Sequence, residues 1–218
     1  MKKVSLVTEI SQFYHMAPCK IGFLGGSFNP IHDGHIALAE HVLENFVDHV
    51  VICPHSLHPD KKGILIPIEH RMEMILILKD IARFSNRIHM IHPEFIHGTH
   101  GQPFVSLCRD LRSINIETSI ICGTDCFSRS YYPDLCAMDH YVGIRVADHC
   151  KEKIQKMITG KTVFFETPFP ALSSTKVRSL VSEKKMTVIH QHLREYIRDN
   201  KLFGMTIDEE GFEYDKKR

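Results

Sequence analysis

Short β-branched runs alternate with helical periodicity along this chain, and the alternation predicts a doubly wound α/β fold with a mostly parallel sheet. The first apolar run stops at Gly25-Gly26, a tight turn leading straight into a helical pattern. Beyond residue 171 only helical patterns follow, which adds a C-terminal helical region to the sheet domain.

Taken in order, residues 1–19 carry no clear period and end in Ala17-Pro18-Cys19, so they read as an extension. Residues 20–24 form a short buried strand. In 33–46 the apolar Ile36, Leu38, Ala39, Val42, Leu43 and Phe46 recur at helical spacing. A β-branched run at 49–53, stopped by Pro54, is the second strand, and a polar loop follows through Lys62. Residues 68–84 show a helical stripe of Met72, Ile75, Leu76, Leu78 and Ile81. Residues 88–91 read as a strand, 103–113 as a helix, and 118–122 as a buried strand halted at Gly123. Runs at 141–146 and 162–165 complete five or six strands; 173–182 and 189–199 are the C-terminal helices. The domain therefore spans 20–204, with an α/β core at 20–170 and helices at 171–204, and 205–218 is a charge-rich tail.

Composition narrows the class. The 27 Lys and Arg nearly balance 26 Asp and Glu, so nothing suggests a protein that coats nucleic acid or a charged membrane surface. With 43% apolar and 24% charged residues among 218, the chain can bury a full core. No apolar run approaches the length of a membrane span, and the opening Met1-Lys2-Lys3 leads into no signal-like apolar core. The expectation is a soluble cytoplasmic protein, with self-association left open. Seven scattered cysteines without a CxxC pair argue against a disulfide scaffold and against a thiolate zinc site. His55/His58 and His97/His100 have metal-like spacing, but no third ligand recurs at a diagnostic distance, so they read as solvated loop imidazoles and no protein metal site is expected.

The informative segment is Gly25-Gly26-Ser27-Phe28-Asn29-Pro30-Ile31-His32-Asp33-Gly34-His35, between the first strand and the first helix. In an open α/β sheet that turn lies at the carboxyl edge of the strands, where ligands bind. Glycines admit a close backbone approach to phosphate, and the helix start offers unpaired N–H groups and a positive dipole end. His32 and His35, three apart, can face one side of the first turn and meet polyphosphate oxygens. Neither GxxxxGK[ST] nor GxGxxG is present. A second segment, Ser173-Ser174-Thr175-Lys176-Val177-Arg178, opens a late helix with capping hydroxyls, and Arg178 can lean back over the turn that presents Ser174. It is a second candidate polyphosphate cradle.

Together GGSFNPIHDGH and SSTKVR resemble the (H/T)xGH and ISSTxIR motifs of the nucleotidyltransferase superfamily, and the combination is similar to the nicotinate/nicotinamide mononucleotide adenylyltransferases. Lys61-Lys62-Gly63 with His70-Arg71-Met72 resembles that family's lysine loop and following helix. Ile121-Cys122-Gly123-Thr124-Asp125 resembles its GxD strand, and Leu193-Arg194-Glu195-Tyr196-Ile197 through Leu202-Phe203 its last helix. The resemblance implies a Rossmann-like fold and adenylyl transfer from ATP to the 5′-phosphate of a pyridine mononucleotide, with Mg²⁺ carried mainly on the ATP phosphates. It assigns His35 to the α-phosphate, His32 to its neighbours and Lys61 (or Lys62) to phosphate. Ser174, Thr175 and Arg178 would hold the β- and γ-phosphates, with Gly25, Gly26, Ser27 and Phe28 supplying backbone contacts. Ser27, Phe28, Lys61, Gly123 and Asp125 would border the mononucleotide.

Three departures stand out. The family's tryptophan platform for the pyridine is missing, since the chain has no Trp; Tyr131 or Tyr132 stands near that place. Where relatives carry a threonine at the start of the helix before GxD, the first hydroxyl after Gln102-Pro103-Phe104 is Ser106. Asn29 stands where many relatives have Asp. Other phosphomonoester acceptors, or nucleotide binding without catalysis, are the alternatives. A class I aminoacyl-tRNA synthetase is excluded by length, neutral charge and the lack of a KMSK-type loop.

Overall fold

The computed structural model describes residues 6–7, 11–55, 63–93, 102–127, 135–144, 151–167, 172–183, 185–187 and 189–204. Strands β1 (Leu6–Val7), β2 (Cys19–Gly26), β3 (His49–Pro54), β4 (Ile88–Ile91), β5 (Ile116–Gly123), β6 (Asp139–Ile144) and β7 (Thr162–Glu166) form one sheet. The helices are α1 (Ser11–Tyr14), α2 (Asp33–Asn45), α3 (Ile68–Ile81), α4 (Gln102–Ser113), α5 (Lys151–Met157), α6 (Ser174–Ser182) and α7 (Gln191–Asp199).

Every pairing is parallel, in the order β1-β4-β3-β2-β5-β6-β7. Counted from β2 and without the two-residue edge strand β1, this is the 3-2-1-4-5-6 order of a Rossmann-like sheet. The order reverses between β2 and β5, so the ligand crevice belongs at their carboxyl ends. Leu24 pairs with Ile121, and two residues further each strand reaches its last residue, Gly26 and Gly123.

Alternating side chains divide the core in two, as the pleat requires. Leu24, Val50, Ile52, Ile88, Met90 and Ile121 pack under α2, α3, α6 and α7. Ile21, Phe23, Val51, Cys53, Ile120 and Cys122 pack under α1, α4 and α5. The buried thiols Cys53, Cys108 and Cys122 serve as small apolar groups, and burial pushes Cys108 up to about 12. No helix among the described residues is long and apolar enough to cross a membrane.

The stretch expected to be a mere extension contributes β1 and α1, and Phe13 is fully buried with its ring 6.4 Å from Phe23. Seven strands form instead of five or six because Leu6 and Val7 pair with Met90 and Ile91. Helix α5 carried no expectation: Ile154 is its one buried residue, too little for a visible stripe. Lys62 and the 205–218 tail lie outside the described residues.

Candidate active site

The first helix start is built from the turn upward. Phe28 adopts φ 45°, the left-handed region, and folds its buried ring back under the turn. A Cβ on Gly26 would come within 3.0 Å of that ring, so any larger residue there would have to push the Phe28 ring aside. The Phe28 ring meets His35 edge-on with centroids 5.1 Å apart. His32, 2% exposed, caps α2, and its ring lies 3.8 Å from that of His35. The two imidazoles therefore do share one side of the first turn.

The backbone N–H of His32 donates to His35 Nδ1 at 3.2 Å. An accepting Nδ1 leaves the ring proton on Nε2, so the neutral imidazole is held in the tautomer that offers an N–H donor. Asp33, first residue of α2, has its carboxyl pKa raised by burial, while the charge of His190 and its own backbone N–H pull it down.

The second helix start meets this turn directly. Ser173 caps α6 by accepting from the Lys176 N–H at 3.2 Å. Ser174 Oγ donates to the Pro30 carbonyl at 2.8 Å, and Arg178 Nη1 donates to the Asn29 carbonyl at 2.7 Å. Arg178 Nη2 also reaches Thr175 Oγ1 at 3.2 Å. Two segments some 145 residues apart in the chain (Pro30 and Ser174 differ by 144) thus converge on one crevice. The hydroxyl and guanidinium that sequence reasoning gave wholly to phosphate also stitch the two helix starts together.

Gly123 ends β5, and a three-residue 3₁₀ turn, Thr124–Cys126, follows. Thr124 is buried and Asp125 exposed at this edge of the sheet. Lys61, Tyr131 and Tyr132 lie outside the described residues.

Two residues matter more than the sequence suggested. The buried Asn29 carboxamide donates from Nδ2 to the Ile64 carbonyl at 3.0 Å and accepts the Ile66 N–H at 3.2 Å, so it pins the segment leading into α3. Arg71, 1% exposed, bonds to carbonyls of Ser27, His55 and Ile66. Its signal was legible: Arg71, Met74, Ile75 and Leu78 form an i, i+3, i+4, i+7 stripe, with a cation where an apolar residue belongs.

Among the described residues no group of three His, Cys, Asp or Glu could hold a metal ion. The donors gathered here are N–H groups, imidazoles, hydroxyls and a guanidinium, a set that complements phosphate oxygens.

Residues 23–180 match the cytidylyltransferase-like family, and the chain belongs to it, as a nucleotidyltransferase. A probable nicotinate-nucleotide adenylyltransferase of Tropheryma whipplei is 30% identical over 166 residues, covering 72% of this chain and 84% of that protein. A protein of the same name from Dictyoglomus turgidum is 26% identical across 84% of this chain and 95% of its own length. The fold is shared with a Plasmodium falciparum nicotinic acid mononucleotide adenylyltransferase complexed with NaAD, with a TM-score of 0.71 at 18% identity, over 87% of this chain and 99% of that one.

Proposed function

We propose that this nucleotidyltransferase moves the adenylyl group of ATP to the 5′-phosphate of nicotinate mononucleotide, forming deamido-NAD and pyrophosphate. The observation that carries this reading is the hydrogen-bonded junction of the two helix starts, through Arg178–Asn29 and Ser174–Pro30 at the carboxyl edge of β2. Two helix N-termini, two adjacent imidazoles and a guanidinium around one crevice suit a single triphosphate. The relatives' names supply the acceptor.

An oxygen of the mononucleotide phosphate attacks the α-phosphorus in line, the bond to the bridging β-phosphate oxygen breaks, and pyrophosphate departs. No protein nucleophile takes part, so catalysis is positioning and charge stabilisation. His35, through Nε2–H, donates to the α-phosphate oxygens, where charge grows in the transition state. His32 and the N–H groups of Gly26, Ser27 and Phe28 hold the neighbouring phosphates. Arg178, Ser174 and Thr175 take the β- and γ-phosphates and then the departing pyrophosphate, and Lys61 adds a point charge. Gly123 and Asp125 border the mononucleotide, and Tyr131 or Tyr132 offers the aromatic face that tryptophan gives elsewhere. Mg²⁺, held mainly by the ATP phosphates, supplies further charge neutralisation when bound. A cytoplasmic biosynthetic role fits this chemistry.

The test is pyrophosphate release by the purified chain with ATP and Mg²⁺ against nicotinate mononucleotide, nicotinamide mononucleotide and a panel of other phosphomonoesters. Turnover is expected with nicotinate mononucleotide. Activity confined to another phosphomonoester, or ATP binding with no turnover on any, would overturn the assignment.

A further inference from the structure

We propose that Arg71 is a positioning residue for the phosphate-binding turn, aiming the N–H groups of that turn by gripping the carbonyls behind them. The proposal rests on the ATP-site reading above.

The guanidinium of Arg71 reaches three segments at once. Nη1 donates to the Ser27 carbonyl at 2.8 Å and the His55 carbonyl at 2.6 Å, while Nε donates to the Ile66 carbonyl at 3.1 Å. Ser27 lies in the turn after β2, His55 follows β3, and Ile66 stands just ahead of α3. Such a meeting demands a rigid planar fork with several donors, which lysine lacks. The bonds are made out of water, because the side chain is 1% exposed. Burial lowers the Arg71 pKa, and Glu69 opposes that shift; an arginine keeps its proton at neutral pH all the same.

Planarity of the peptide unit turns these carbonyl contacts into a statement about donors. In a trans peptide the C=O and the following N–H point to opposite sides. Holding the Ser27 carbonyl toward the buried guanidinium therefore turns the Phe28 N–H away from it. The neighbouring peptide is fixed likewise: the Gly26 carbonyl accepts the His55 N–H at 2.9 Å, which orients the Ser27 N–H. Arg71 grips His55 through its own carbonyl, so both peptides depend on one side chain. A permanent cation directly behind these donors also acts through a medium of low dielectric, where its attraction for phosphate is weakly screened.

The experiment compares the full-length wild type with Arg71→Ala and Arg71→Lys, measuring Mg–ATP affinity by titration calorimetry on protein shown to be folded by circular dichroism. Arg71→Ala should bind Mg–ATP at least about ten-fold more weakly, the scale of losing preorganised donors. Guanidinium chloride, below any denaturing concentration, should restore part of that affinity in Arg71→Ala and add nothing in the wild type. Arg71→Lys should stay weakened, because a point charge cannot meet three carbonyls. Wild-type affinity in either folded variant, a weakening that guanidinium leaves untouched, or failure of both variants to fold would overturn the proposal; the last would make Arg71 a residue of stability alone. A wild type that binds no Mg–ATP would instead defeat the ATP-site reading itself.

Discussion

Around the turn after β2, backbone carbonyls are held by three side chains from two other helices: Arg71 of α3 on Ser27, and Arg178 and Ser174 of α6 on Asn29 and Pro30. Ser27, Phe28, Asn29, Ile31 and His32 are all buried. Around the turn after β5 the exposure differs: a three-residue 3₁₀ turn carries Asp125 out to solvent. The contrast fits the two tasks proposed above for these turns. A triphosphate is met by N–H groups whose directions must be set before it arrives, so the frame behind them is cross-linked. On the reading proposed above, a mononucleotide bordering the other turn would be recognised by side chains, which a short turn can present without such a frame. The division can be broken or sharpened by perturbing each side in turn.

The largest effect is expected at the donor side. His35→Ala removes an Nε2–H donor whose tautomer the His32 backbone fixes, and should lower kcat by about 100-fold, the usual loss of one transition-state donor. The α2 start should survive, since the backbone N–H of residue 35 still donates to the His32 carbonyl at 2.8 Å. Steady-state pyrophosphate release measures it. Near-normal turnover would remove His35 from the chemistry and leave the rigid side with no catalytic reason for its rigidity.

The next effect is on stability. Asn29→Asp is close to isosteric, yet it replaces the Nδ2 donor with an oxygen facing the Ile64 carbonyl. At a 3% exposed site, the lost bond and unpaired acceptor should cost about 1–3 kcal/mol, read from the denaturant midpoint. An unchanged midpoint would mean that Arg71, through Ile66, holds the segment before α3 unaided.

Much of this was visible in the chain itself. The doubly wound, parallel character of the sheet follows from the alternation of strands and helices, though its strand order does not, and both helix starts announce themselves through Gly25-Gly26, the His32/His35 spacing and the serines ahead of Arg178. What local pattern does not carry is contact between distant segments. Nothing around Asn29 hints that its carboxamide spans to Ile64 and Ile66, and nothing in Ser173-Ser174-Thr175 tells which hydroxyl caps and which crosses to Pro30. Leu6, Val7 and Phe13 were missed for the same reason: a two-residue strand and a one-turn helix have no period, and only the sheet, at the β4 edge for Leu6 and Val7 and on the face beside Phe23 for Phe13, gives them structure. Arg71 is the instructive middle case, a charge in an apolar stripe whose oddity was local but whose partners were not.

The smallest effect belongs to the exposed side and decides whether the contrast is real. Asp125 is exposed, so water screens its charge, and a contact it makes to a mononucleotide is worth little on its own. Asp125→Asn keeps the size and one acceptor oxygen while removing the charge, so the turn after Gly123 should keep its shape. The KM for nicotinate mononucleotide should rise by roughly three- to ten-fold, a change near about 1 kcal/mol. Mg–ATP affinity should stay at the wild-type value, because Arg71, Ser174 and Arg178 hold the carbonyls of the β2 turn from α3 and α6. Parallel titrations of the two substrates make the comparison. Were Mg–ATP affinity to fall in step with the acceptor's, the two turns would be acting as one coupled surface, and the rigid frame behind the phosphates would have to extend across the switch point to β5.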